Sequence, residues 1–178
     1  MKMKKCDVFT PREVAMKMAS YLKGGGSLLE PSVGKGDLLC MDTKKYDIEC
    51  FDTETSYLEC VKCEGVKKYC EDFLLYDFAD KKYDNIILNP PYVKYQDLDL
   101  SYRKFLKSTF KVLGNGNIDI YLAFLIKCLD LLKDDGVMVS ITPSSFLYNK
   151  SSESFRKHIF GNHYVSHIHD YGFDKVFK

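Results

Sequence analysis

Apolar and polar residues follow one another along this chain in two rhythms, and the switches between them lay out a fold. Strand-length segments, most of them apolar and bounded by glycine, proline or acidic residues, occur at 27–29, 48–51, 67–70, 84–88, 137–141 and 164–168. Between them the spacing changes to three and four. Val14, Met18, Tyr21 and Leu22 follow Thr10-Pro11, where Thr10 is placed to cap a helix and Pro11 suits its first turn, and Gly24-Gly25-Gly26 ends it. Brief helices are expected near 38–42 and over 56–62, with a longer one over 151–159. The strongest periodicity joins Ile118, Tyr121, Leu122, Leu125, Ile126, Leu129 and Leu132, capped by Asn117 or Asp119 and stopped by Lys133-Asp134-Asp135-Gly136. Residues 92–117 are only weakly patterned, with Tyr95, Tyr102 and Phe105 among Lys94, Arg103, Lys104 and Lys107, and a mobile substrate-facing segment is expected there.

Strands that alternate with helices imply an α/β domain with a doubly wound, mostly parallel sheet, and such sheets gather their ligands at the carboxyl ends of the strands. Glu30, Asp52, Asp72 and Asn89 all fall at those ends. A chain of 178 residues, 46% apolar, can bury one good core and leaves little room for a second domain.

Charge changes this picture little, because 26 basic against 25 acidic residues leave a net +1 and no whole-chain field that announces nucleic acid. No run of about 18 apolar residues exists to span a membrane, and the basic N-terminus runs into polar residues, so an intracellular, cytoplasmic protein is expected. The seven cysteines are dispersed, and Cys60, Cys63 and Cys70 lack a fourth partner at zinc-site spacing, so reduced thiols and no metal are expected. His167 and His169 alternate in the last strand-like run and are expected on one face of the sheet.

The chemistry concentrates in Asp84-Asn85-Ile86-Ile87-Leu88-Asn89-Pro90-Pro91-Tyr92, a buried strand that runs into two prolines. Consecutive prolines fix φ and remove two N–H donors, so the loop leaves the sheet ladder and holds the Asn89 amide in a set direction. An amino group offers two donors, which the Asn89 amide oxygen and the Pro90 carbonyl can accept, while Tyr92 offers a face for a planar ring. Upstream, Glu30-Pro31-Ser32-Val33-Gly34-Lys35-Gly36-Asp37 places two glycines between a strand and the brief helix expected after it, which lets backbone approach a ligand closely. It is not a phosphate loop, since no Ser or Thr comes after Gly34-Lys35.

Asn89-Pro90-Pro91-Tyr92, preceded in order by Phe9-Thr10-Pro11 and by the glycine-bearing run, resembles the signature of the gamma-type adenine-specific DNA methyltransferases of restriction-modification systems. The resemblance implies a Rossmann-like class I methyltransferase domain with S-adenosyl-L-methionine as cofactor. It implies a cofactor site of Thr10, Pro11, Glu30, Pro31, Ser32, Gly34, Gly36, Asp52, Asp72 and Phe73, and a catalytic set of Asn89, Pro90, Pro91 and Tyr92. Glu30 suits the ammonium of the cofactor, and Asp52, placed after the second strand, can accept both ribose hydroxyls. Asp72 would accept from the cofactor's adenine amino group and Phe73 would pack on its ring. A flipped-out base of double-stranded DNA would stack on Tyr92. Phe146 and Tyr148, near the place of a second base-sandwiching ring, fit packing better. In this family a final strand hairpin and a separate DNA-recognition domain come next, so residues 1–178 are expected to be a truncated catalytic portion, with a restriction endonuclease as a candidate partner. Protein-glutamine or RNA-base methylation by the same pocket, and a non-catalytic DNA-binding or assembly fragment, are the alternatives.

Overall fold

A computed structural model describes residues 9–114, 116–163 and 165–172. Five strands form its sheet, β1 (Gly26–Glu30), β2 (Tyr46–Phe51), β3 (Lys67–Tyr69), β4 (Tyr83–Leu88) and β5 (Leu132–Ser140), in the order β3-β2-β1-β4-β5 and with every pairing parallel. Five α-helices accompany them among the described residues: α1 (Arg12–Ala19), α2 (Thr55–Leu58), α3 (Leu100–Thr109), α4 (Ile120–Asp130) and α5 (Glu153–Asn162). The order reverses its direction of travel between β3 and β4, which opens a crevice at the carboxyl ends of β1 and β4.

The apolar runs are continuous because both faces of the sheet are covered. Leu29, Ile86 and Leu88 point into one core with α4, Phe73, Phe78 and Phe155, whereas Leu28, Ile48 and Ile87 point into another with Ala15, Met18, Leu38 and Leu58. Two polar residues of β4 act as fasteners. Asn85 is fully buried, its Oδ1 accepting from the Lys23 N–H at 2.7 Å and its Nδ2 donating to the Gly25 carbonyl at 2.9 Å. Asp84 Oδ2 accepts from both the N–H and the hydroxyl of Ser27. Together they lock the entry of β1 to β4.

Several expectations change here. The N-cap of α1 is Pro11 rather than Thr10, whose hydroxyl is engaged elsewhere. Residues 38–42 form turns instead of a helix. Asp119 is the N-cap of α4, yet its Oδ1 accepts from the Tyr95 N–H. Lys133-Asp134-Asp135-Gly136, expected to stop α4, lies beyond its end at Asp130 and inside β5, where Tyr83 pairs with Leu132 and Asn85 already with Val137, so the extra residues bulge out. Lys133 on Asp84 and Asp135 on Lys23 hold that bulge.

The described residues of 92–117 are largely built structure. Asp99 caps α3 by accepting from the Tyr102 N–H, and Tyr102, Leu106 and Phe110, four apart, are buried. No strand exists at 165–168, and Tyr164 lies outside the described residues; β3 and β5 are the edges of the sheet. His167 and His169 are exposed against α1, with the His167 ring beside Tyr21 and the His169 ring nitrogens 3.2 Å from Lys17 Nζ.

Candidate active site

Each strand ends where its chain direction must turn, and four of those turns meet in a cleft of about 610 Å³. The turn after β1 supplies Glu30, Pro31, Ser32, Val33 and Gly34; that after β2, Asp52, Thr53 and Glu54; that after β3, Glu71, Asp72 and Phe73; that after β4, Asn89, Pro90, Pro91, Tyr92 and Val93. Thr10 lines it from the segment before α1. Of the residues expected from sequence, only Pro11 and Gly36 do not line the cleft: Pro11 caps α1 and Gly36 packs against Val61. Gly36 keeps a structural duty, since at φ +90 an added Cβ would lie 3.3 Å from Val61 Cγ2.

The first turn is tied to the others by short bonds. The Ser32 hydroxyl donates to the Asn89 carbonyl at 2.9 Å, and the Gly34 N–H donates to Asp52 Oδ2 at 3.0 Å. Asp52 Oδ1 accepts from the Glu54 N–H, so the carboxylate braces its own turn and the glycine loop. Asp72 does the same after β3: Oδ1 accepts from the Leu74 N–H and Oδ2 from the Tyr102 hydroxyl, each at 2.9 Å.

Asn89 is held from two sides. Its Nδ2 donates to Thr10 Oγ1 at 3.0 Å and its Oδ1 lies 2.7 Å from the Tyr92 hydroxyl, which is also 3.0 Å from the Ile141 carbonyl. Thr10, expected on the cofactor, thus touches the amide of the catalytic loop through its hydroxyl, and its backbone N–H bonds the Asp37 carboxylate.

Glu30 is the electrostatic oddity of the cleft. It is fully buried, Oε1 accepts from the Ser32 N–H at 3.1 Å, and Oε2 has no hydrogen-bond partner among the described residues. Burial first, then the nearby Asp52 and Asp37 carboxylates, push its pKa up to about 8 against the hydrogen bond from Ser32. A buried carboxyl with one idle oxygen fits a ligand that brings a cation. The whole lining agrees, with six carboxyl groups (Glu30, Asp37, Asp52, Glu54, Glu71, Asp72) against one lysine, Lys35. That acidic, hydrogen-bond-accepting lining repels a polyphosphate and suits a ligand with ammonium and sulfonium charges and donor hydroxyls.

Sequence reading missed Tyr102 and Phe124 in the cleft wall and Lys127 behind it. The signal for Tyr102 was present, as Asp99 is a capping residue placed before a 102–106–110 apolar stripe. Lys127 carried no such signal: its ammonium donates to the Leu74 and Tyr76 carbonyls and sits over the Phe73 and Phe78 rings, a contact made only by folding. Phe146 packs on Phe155 and Tyr148 is 69% exposed, and neither lines the cleft.

The chain is similar to the type II methyltransferase M.AccI of Acinetobacter calcoaceticus, 29% identical over 173 residues that cover 90% of this chain and 32% of that protein. It therefore spans about a third of that relative's length. Its fold matches the methyltransferase subunit of a type I restriction-modification system from Streptococcus thermophilus, with a TM-score of 0.69, 23% identity, and coverage of 89% of this chain and 39% of that one. It also matches a candidate class I S-adenosylmethionine-dependent methyltransferase from Listeria monocytogenes, with a TM-score of 0.67, 15% identity, and coverage of 86% and 52%. The fold is that of the class I methyltransferases, and the profile of one family within it matches residues 32–177, from the glycine-bearing loop past α5. The chain belongs to the Eco57I restriction-modification methylase family.

Proposed function

We propose that this chain is the catalytic portion of a restriction-modification methyltransferase that methylates the exocyclic amino group of adenine in double-stranded DNA, with S-adenosylmethionine as methyl donor. One observation carries the reading: the Asn89-Pro90-Pro91-Tyr92 loop and the acidic strand ends of β1, β2 and β3 share a single cleft, its amide braced by Thr10 and Tyr92.

The cofactor, when bound, supplies a methyl group on a positively charged sulfur. Glu30 would hold its ammonium, Asp52 its ribose hydroxyls, and Asp72 with Phe73 its adenine. Across the cleft, Asn89 Oδ1 and the Pro90 carbonyl take the two hydrogens of the target amino group. They raise density on a nitrogen whose lone pair is otherwise delocalised into the ring, and favour its pyramidal shape. Methyl transfer to that nitrogen would break the cofactor's S–CH3 bond, and the surplus proton would leave the nitrogen for water. No strong base is needed, and the work is positioning and electrostatics. Tyr92 gives an extruded base a face that replaces its lost stacking. A DNA-recognition domain, on the same polypeptide or a separate one, supplies sequence specificity, and a cognate restriction endonuclease is the functional partner in an intracellular setting. Among the described residues no helix is long and apolar enough to cross a membrane.

The test combines the chain with its recognition domain, isotopically labelled cofactor and double-stranded DNA, followed by mass spectrometry of the nucleosides. Label on the adenine amino nitrogen is expected. Asn89→Ala should lower the rate by a factor on the order of a hundred to a thousand with cofactor affinity nearly intact. Label only on protein glutamine or RNA would refute the DNA reading.

A further inference from the structure

Helix α3 enters the cleft wall at its first turn, through Ser101 and Tyr102. Tyr102 is 6% exposed, and its position is set twice, by its N–H on the Asp99 carboxylate at 2.8 Å and by its hydroxyl on Asp72 Oδ2 at 2.9 Å. The ring leans on Phe105. Burial and the Asp72 charge raise the phenol pKa, so this hydroxyl keeps its proton and is a donor. The other carboxylate oxygen of Asp72 accepts from the Leu74 N–H, and the Asp72 carbonyl accepts from the N–H groups of Leu75 and Tyr76. Asp72 is therefore clamped in one plane by two donors on opposite oxygens while its edge stays on the cleft.

That clamp has a chemical consequence. An ionised carboxylate only accepts hydrogen bonds, at about four lone-pair sites, so two protein donors leave acceptor capacity toward a ligand and no donor. A 6-amino purine presents a donor to it; a 6-oxo purine presents another acceptor and is repelled. We propose that Tyr102 is the positioning residue that makes Asp72 select the 6-amino group of the cofactor's adenine, an inference that rests on the cofactor reading above. Without the hydroxyl, Oδ2 faces an apolar ring and the carboxyl can rotate out of that plane, which turns its accepting edge away from the 6-amino group.

The experiment measures binding of S-adenosylhomocysteine and of S-inosylhomocysteine to the full chain by calorimetry, for wild type, Tyr102→Phe and Tyr102→Leu. Wild type is expected to favour the adenosyl ligand by about tenfold to a hundredfold, the scale of one charge-assisted hydrogen bond. Both variants should bring that preference below about threefold, chiefly by weakening the adenosyl ligand. The ratio, not the absolute affinity, is the readout, because a generally loosened fold weakens both ligands alike. On an Asp72→Asn background, Tyr102→Phe should leave the ratio unchanged. If wild type binds and discriminates but both Tyr102 variants keep the wild-type ratio, the inference falls and the cofactor reading stands. Wild type that binds both ligands equally overturns the role of Asp72 and the inference with it. Wild type that binds neither overturns the cofactor reading as well.

Discussion

Removing the charge of Glu30 by Glu30→Gln tests how a buried acid is used. The carboxyl, ordinarily titrating at 4.5, is held up to about 8 by burial first and by Asp52 and Asp37 next, with Oε2 idle. Raising it that far disfavours the ionised form by on the order of 5 kcal/mol in the unliganded fold. Because the folded pKa lies above the unfolded one, the penalty is absent below about 4.5, grows as pH rises, and is complete above about 8. Unliganded Glu30→Gln should accordingly gain stability over wild type as pH rises from about 5 to 8. The cofactor's ammonium needs the carboxylate, so at pH 7 roughly nine-tenths of a proton should leave wild type on binding, and affinity should fall about fiftyfold from pH 8 to 6. Above that range the ligand's own amino group loses its proton and draws the profile back down. Calorimetry at three pH values, in buffers of different ionisation enthalpy, reads both quantities directly. Glu30→Gln should bind more weakly, without the acid limb and with little proton release. A wild-type affinity flat between pH 6 and 8, with no proton release, would refute the reasoning.

Three other contacts in the fold set measurable outcomes. Thr10→Val removes the acceptor of Asn89 Nδ2, and the methylation rate should drop about tenfold or more with cofactor affinity changed less than about twofold; an equal loss in both would return Thr10 to the cofactor. Asn85→Leu strands the Lys23 N–H and Gly25 carbonyl, and a urea midpoint shift worth roughly 1–3 kcal/mol at unchanged slope is expected; no shift would show that neither bond matters. Lys127→Met unpins the Leu74 and Tyr76 carbonyls, and hydrogen exchange should accelerate in residues 73–78 while β1 and β4 stay protected; uniform acceleration would make Lys127 a general packing residue instead.

Much of this fold was legible because its signals are local. The Leu28-Leu29, Cys50-Phe51 and Ile86-Ile87-Leu88 runs are apolar on consecutive positions, as in a sheet covered on both faces, and the 118–132 repeat marks a helix by its spacing, realised over Ile120–Asp130. Glu30, Asp52, Asp72 and Asn89 were expected together because parallel strands bring their carboxyl ends to one side, and all four line one cleft. What stayed hidden depends on partners distant in the chain. Thr10 looks like a helix cap until Asn89, 79 residues on, takes its hydroxyl. Lys133-Asp134-Asp135-Gly136 looks like a stop until Asp84 and Lys23 hold it as a bulge in β5. The run at 164–168 has the alternation of a strand, but 165–168 makes no ladder among the described residues and is not one. Local pattern sets which segments want to be helix or strand, since propensity and periodicity act over a few residues. Which hydroxyl braces which amide, and which lysine sits under which loop, is decided only when burial forces each polar group to find a partner wherever the topology has put one.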